Sequence, residues 1–280
     1  RPLMLRHPYR APGDPGEEEG PGGGHDRKLG ATFGMHPVQE ALEADTPLEK
    51  VFIRKGLRRE GLNELKRSLK HKGIAFVEVP DQKLNRLVPG GRNHQGVVAL
   101  HSAVDYVLLE EMTTRIFERG DTPLLLALDG VTDVRNVGAI ARSAEAMGAH
   151  GLVLGRRNSA PLTADALKAS AGALHHLGVA RVRSLPGALN YLKEAGLQVV
   201  GVSEHALDNL DQVLEPGPLC LVLGDEEHGI GPPVQEACTA MGGIPLQGQV
   251  NSLNVSVAAG MALYEAVVRA PTRTRGSSQA

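Results

Sequence analysis

Cysteine is nearly absent: the 280 residues hold two, Cys220 and Cys238, and these form no C-x-x-C pair. Cys220 stands inside the apolar run "LCLVLG", so a disulfide framework or a cysteine zinc site has no support and a reducing compartment is expected. No stretch approaches the roughly 18 consecutive apolar residues of a membrane span, and no apolar run of the secretory kind stands near the first residue. A soluble, cytoplasmic chain with no membrane partner is therefore expected. The dinucleotide fingerprint G-x-G-x-x-G and the phosphate loop G-x-x-x-x-G-K-[ST] are missing as well, which disfavours a nucleotide-dependent doubly wound enzyme. A net charge of −2 argues against a general nucleic-acid coat.

That average hides an asymmetry. Between Arg54 and Arg92 stand eleven Lys and Arg against four acids, a local net of +7. A basic block on a nearly neutral chain suggests a surface facing a polyanion, although a solvated helix face would carry the same residues.

The length suits two domains. Residues 1–29 are rich in Pro, Gly and charge with no periodic apolar pattern, and together with 271–280 they are expected to be disordered tails. From Phe33 the pattern becomes regular. "GMHPVQEALEA" reads as a helix with Pro37 in its first turn, followed by strand "KVFIRK", helix "EGLNELKRSLKHKG", strand "IAFVEV", helix "DQKLNRLV" capped by Asp81, and strand "QGVVALH". These make a small α/β unit over 30–102. "AVDYVLLEEMTTRIFERGD" reads as a connecting helix, so 103–120 is expected to be a linker. A second unit over 121–270 opens with the continuous apolar run "PLLLALDG" and repeats that pattern at "GLVLG", "LQVVGVS" and "PLCLVLGD", with helices between. Such runs belong to strands covered on both faces, so a mostly parallel sheet is expected, with its ligand beyond the carboxyl ends of the strands.

Three loops of that unit carry chemistry. In "LDGVTDVRNVGAIARSAEAMG", Asn136 and Gly138 stand where strand gives way to helix, and Arg142 falls off the apolar stripe, free to meet a ligand or to pair with Glu145. In "LVLGDEEHGIG", Gly224, Gly229 and Gly231 imply a tight loop with open backbone, and Asp225, Glu226 and Glu227 suit a cation; no second acidic cluster supports a metal. In "IPLQGQVNSLNVSVAAGMALYEAVV", Asn251, Ser252 and Asn254 precede a helix expected over Val255–Val268, which is apolar around most of its circumference and must be covered by protein, by a second subunit or by both. The adjacent His175 and His176 point in different directions and fit a structural or RNA-facing role better than a metal.

These three segments resemble the motifs of the SpoU family of RNA ribose methyltransferases, the TrmH and RlmB type within the SPOUT superfamily. The resemblance runs from about Phe33 to Arg269, with Arg135 and Val134 departing from the His and Pro of the family pattern. "FGMHPVQEALE" and "NHQGVVA" resemble the small ribosomal-protein-like RNA-binding domain of the RlmB subgroup. It implies a trefoil-knotted parallel sheet in the second unit, a homodimer through that unit and S-adenosylmethionine as cofactor, with no metal. It further implies cofactor contacts at Leu223, Gly224, Gly229, Ile244 and Leu253, and a catalytic set of Asn136, Arg142, Glu226, Ser252 and Asn254. The implied reaction is methylation of a ribose 2′-hydroxyl, with a guanosine of large-subunit ribosomal RNA favoured. A transfer-RNA substrate and a non-catalytic assembly factor on the same scaffold are the alternatives. A guanidinium keeps its proton in water, so Arg142 suits a phosphate clamp better than a base, leaving Glu226 or an RNA phosphate to take the proton.

Overall fold

The computed structural model describes residues 25–26, 30–44, 46–88, 92–225 and 227–269. The first unit is a five-stranded sheet in the order β1-β2-β5-β3-β4, built from β1 His25–Asp26, β2 Ala31–Phe33, β3 Leu48–Arg54, β4 Ala75–Val79 and β5 Val97–His101. Only β3 and β4 run parallel. Side chains alternate across the sheet. Val51 and Ile53 pack under α1 (Met35–Glu43) and α2 (Leu62–His71), whereas Phe52 points the other way, toward Leu84 of α3 (Asp81–Leu87).

Two local expectations change here. Pro80, not Asp81, occupies the cap position of α3. Asp81 sits in the first turn, where its carboxylate faces Arg54 at 3.7 Å and accepts from Asn85 at 3.3 Å. In the stretch 1–29, His25 and Asp26 pair with Thr32 and Ala31; the rest of both expected tails lies outside the described residues.

The second sheet has six strands, all parallel, in the order β11-β9-β10-β6-β7-β8. They are β6 Leu124–Leu128, β7 Gly151–Gly155, β8 Gly178–Val182, β9 Gln198–Val202, β10 Leu219–Leu223 and β11 Ala240–Gly242. Leu124, Leu126 and Leu128 pack against α5 (Val134–Ala146), α6 (Ala164–Ala169) and α10 (Val255–Tyr264). Leu125 and Ala127 face α4 (Leu109–Glu118), α7 (Leu185–Glu194) and α9 (Pro232–Ala237). A short α8 (Leu210–Val213) precedes β10. With both faces covered, every residue of β6 and β10 is buried, which is why these strands read as unbroken apolar runs.

The segment read as a linker is part of this unit. The chain bends at Ala103 and Val104, Tyr106 bridges in parallel to Val179 on β8, and Leu109, Met112 and Ile116 enter the core. At this seam Glu49 of β3 accepts from the Tyr106 hydroxyl and from the Arg181 guanidinium of β8. Arg181 also donates to the carbonyls of Gly155 at 3.0 Å and Ala160 at 2.6 Å. The Glu49 and Arg181 side chains are only 4% and 11% exposed, so the ion pair joining the two sheets is nearly dry.

Candidate active site

The chain runs outward from β6 through β7 to β8, then crosses to the other side of β6 for β9, β10 and β11, with β10 lying next to β6. The loops after β6, β9 and β10 therefore gather at the carboxyl edge where the winding reverses, the usual place for a ligand in such sheets. Leu223, the last residue of β10, accepts at its carbonyl from Asp129 N–H at 2.8 Å, and Asp129 in turn accepts from Gly231 N–H at 2.8 Å. The first and second loops are thus tied together through Asp129, a residue that sequence reasoning passed over; its position one step past an apolar strand was the available signal.

Gly224 is glycine for a steric reason. A Cβ there would lie 2.0 Å from the carbonyl carbon of Gly229, so only a bare backbone lets the loop fold back on its strand. Gly229 has φ +66°, the left-handed region where glycine carries no penalty. Asp225 is tied to its own loop: its Oδ1 accepts from Glu227 N–H at 2.8 Å and His228 N–H at 2.7 Å. Burial pushes its carboxyl up, but the amides of His228 and Glu227 and the nearby imidazole together outweigh that and hold it below the usual carboxylate range. Glu226 lies outside the described residues.

Ile244 and Leu253 line one small pocket, together with Val202, Ser203, Glu204, Leu246 and Ala258. Among the described residues, no peptide group from Ile244 to Leu253 exchanges a backbone hydrogen bond with another. Glycine, proline and amide residues in that stretch disfavour any regular element, so ten peptide groups remain open at the mouth of α10. Asn254 then caps the helix, its Oδ1 accepting from Ser256 N–H at 2.9 Å, and its Nδ2 donates to Asn136 Oδ1 at 3.1 Å. The first and third loops thereby meet across 118 residues of chain. Asn136 belongs to the first turn of α5, which Asp133 caps by accepting from Arg135 N–H. The Arg135 guanidinium and amide together draw the Asp133 carboxyl below its ordinary range. Gly138 lies inside the helix, where a Cβ would meet Ala169 Cβ at 2.4 Å; it serves the contact of α5 with α6.

Ser252 is exposed on the third loop. Arg142 is exposed on α5, and of its two alternatives the ion pair with Glu145 is not formed among the described residues. It lies six residues beyond Asn136, about 9 Å further along the helix. The structure therefore joins Asn136 to Asn254, Gly224 to Gly229 and Ile244 to Leu253, and leaves Arg142 and Ser252 apart from these contacts. His175 and His176 are exposed at a short 3₁₀ turn. The helix expected to Val268 ends at Tyr264 and continues as a π-turn over Glu265–Arg269. Its apolar surface is only partly covered: Val255, Ala259, Ala262 and Leu263 are buried, whereas Val257, Met261 and Tyr264 are about half exposed.

The model of the SpoU rRNA methylase family matches residues 123–264, and that of the substrate-binding domain of RNA 2′-O-ribose methyltransferases matches 32–107. The chain belongs to the SpoU methylase family. It is 38% identical over 233 residues to the putative TrmH-family tRNA/rRNA methyltransferase YacO of Bacillus subtilis, covering 83% of this chain and 93% of that one. It is 39% identical over 234 residues to an uncharacterized tRNA/rRNA methyltransferase of Mycolicibacterium vanbaalenii, covering 83% and 74%. Among solved structures, the SpoU methyltransferase AviRb of Streptomyces viridochromogenes, in complex with AdoMet, superposes with TM-score 0.53 at 27% identity, over 86% of this chain and 91% of that one. As a SpoU-family RNA methyltransferase, the chain pairs a substrate-binding unit around the first sheet with a methylase unit around the second.

Proposed function

We propose that the chain transfers a methyl group from S-adenosylmethionine to a ribose 2′-hydroxyl of RNA, with a guanosine of large-subunit ribosomal RNA as the target. The observation that carries this reading is the run of open peptide groups from Ile244 to Leu253 beside a pocket at the carboxyl edge of the sheet whose walls are mostly apolar, with Ser203 and Glu204 at one side. Apolar walls suit a purine, and unpartnered amides and carbonyls suit its ring nitrogens and the amino-acid end of the cofactor. The pocket is a slit of about 50 Å³. Small-molecule sites usually span about 300 Å³ or more. Leu246 and Leu253, which line the slit, would therefore move apart to admit the ligand.

When bound, the cofactor supplies an electrophilic methyl on a sulfonium. Ile244 and Leu253 would flank its base, while Leu223, Gly224 and Gly229 would bring bare backbone against it. The tie between Asn136 and Asn254 would fix the loop on which Ser252 holds the ribose. Arg142 would clamp the target phosphate and stabilise the developing alkoxide with its planar fork, and Glu226 or that phosphate would take the proton. We further propose a trefoil-knotted path for the C-terminal segment and a homodimer. The half-exposed stripe of Val257, Met261 and Tyr264 on α10 supports the dimer, because a second copy packed there would cover it and approach the layer that carries Arg142.

The test is transfer of tritium from methyl-labelled S-adenosylmethionine to ribosomal RNA, followed by alkaline hydrolysis. Label in alkali-resistant dinucleotides is expected, since a 2′-O-methyl blocks cleavage of the next phosphodiester. Label in transfer RNA instead changes the substrate; label on a base overturns the ribose assignment; RNA binding without transfer leaves a non-catalytic factor.

A further inference from the structure

Between the two sheets lies a cleft of about 950 Å³, far from the slit at Ile244 in chain terms and built from different elements. One wall comes from β3, β4 and the end of α2, the other from the loop after β7 and the end of β8. Lys50 and Lys70 line the first wall, and Arg156, Arg157 and Arg183 the second. Among the described residues that line it, Glu49 is the sole carboxylate, and Arg181 already neutralises it. Five cations thus face a shared space with no counter-charge of their own in its walls, on a chain whose net charge is −2.

The cationic loop is held in place. Arg181 grips the carbonyls of Gly155 and Ala160, on either side of the four residues Arg156–Ser159, so the residue that docks the two units also fixes the loop presenting Arg156 and Arg157. Arg156 reaches across the cleft: its guanidinium rests on Gly73, where a Cβ would lie 2.1 Å from a terminal nitrogen. Ser159, which lines the cleft, has a buried hydroxyl with no partner among the described residues, a donor left over beneath the same loop.

We propose that this cleft is a phosphate track for an RNA backbone, laying the strand across the seam from the substrate-binding unit toward the methylase sheet. The inference rests on the reading of the chain as an RNA-modifying enzyme. Guanidinium forks match phosphate oxygens in pairs, and ammonium groups add charge without direction. Phe76 is the one aromatic side chain among the cleft's described lining residues, too little for a stacking platform. Such a surface positions the backbone and leaves base identity to be read elsewhere.

The test compares full-length chains with two charges removed from two places, using a labelled mixed-sequence oligoribonucleotide across a salt series. Arg157→Gln/Arg183→Gln is expected to weaken binding at low salt at least tenfold. It should also flatten the slope of log K against log salt by about 1.4, two single-strand phosphate contacts. Lys83→Gln/Arg86→Gln, on α3 and outside the lining of the cleft, should leave the slope unchanged. Unaltered S-adenosylmethionine affinity and melting temperature in all variants make the loss specific. An unchanged slope in the cleft variant, the same loss in the α3 variant, or competition by poly-glutamate as effective as by RNA overturns the track while leaving the methyltransferase reading intact. A wild-type chain that binds no RNA overturns both.

Discussion

The seam between the two units and the carboxyl edge of the second sheet are both polar places beside apolar cores, and they use polar groups in opposite ways. At the seam, Arg181 donates to Glu49, Tyr106, Gly155 and Ala160, and is almost wholly buried. At the sheet edge, Arg142 is exposed without an ion-pair partner among the described residues, and ten consecutive peptide groups exchange no backbone bonds. A buried charge is tolerated only when its hydrogen-bonding capacity is met within the protein. Groups left open at a concave edge are free for something that arrives from solution. The first arrangement fixes geometry; the second waits for chemistry.

That contrast can be broken at several points. The largest effect is expected from Glu49→Ala, which leaves the Arg181 guanidinium buried without its counter-charge and should cost about 3–5 kcal/mol in urea unfolding. Glu49→Ala/Arg181→Met should recover much of that loss, since removing both charges leaves neither one stranded. Next comes Arg142→Ala, expected to lower kcat about 10²–10³-fold, the usual loss for one preorganised donor. Calorimetry should find its S-adenosylmethionine affinity and its melting temperature unchanged, and Arg142→Lys should restore little if the planar fork matters.

A third effect is alkaline. Burial, opposed by Arg181 and reinforced by Glu49, pushes the Tyr106 phenol from 10.0 up to about 12. The fold therefore favours the neutral phenol. Its contribution is complete below pH 10 and is lost as pH climbs toward 12, an extra loss of about 2–3 kcal/mol that Tyr106→Phe should remove from the pH–stability curve. The smallest change is expected from Asn254→Ala, about 1 kcal/mol for a lost helix cap. Asn254→Ser should keep the cap yet lose the bond to Asn136; unchanged methylation in that variant would remove the tie from the site.

How far the sequence could be read follows the same division. Strands β6, β7, β9 and β10 were legible because two-sided burial writes an unbroken apolar run. Strand β8 was not, because Arg181 interrupts "GVARV", and that interruption is the seam itself. β11 is three residues long, too short for any period to register. The glycines of the second loop and the caps of the third carry local steric and hydrogen-bonding signals, so they could be named in advance. What joins them could not: the contacts Asn136 to Asn254, Asp129 to Gly231 and Glu49 to Arg181 span 118, 102 and 132 residues, and no local pattern encodes such distances. Asp225 shows a second use of such a residue, since one oxygen of an acid that the sequence offers to a cation also accepts from its own loop amides.

The bridge between Tyr106 and Val179 has a further consequence for solubility. β8 is the last strand on its side of the second sheet, and an outer strand with open amides invites a neighbouring molecule to add on. The chain lays its own segment there, with Val107 N–H donating to Val179 at 2.9 Å, while the opposite border ends in a strand of three residues. One stretch of polypeptide thus shields the sheet from stacking with its own kind and carries the tyrosine that locks the two units. Loosening the lock should therefore surface first as a protein that aggregates during expression.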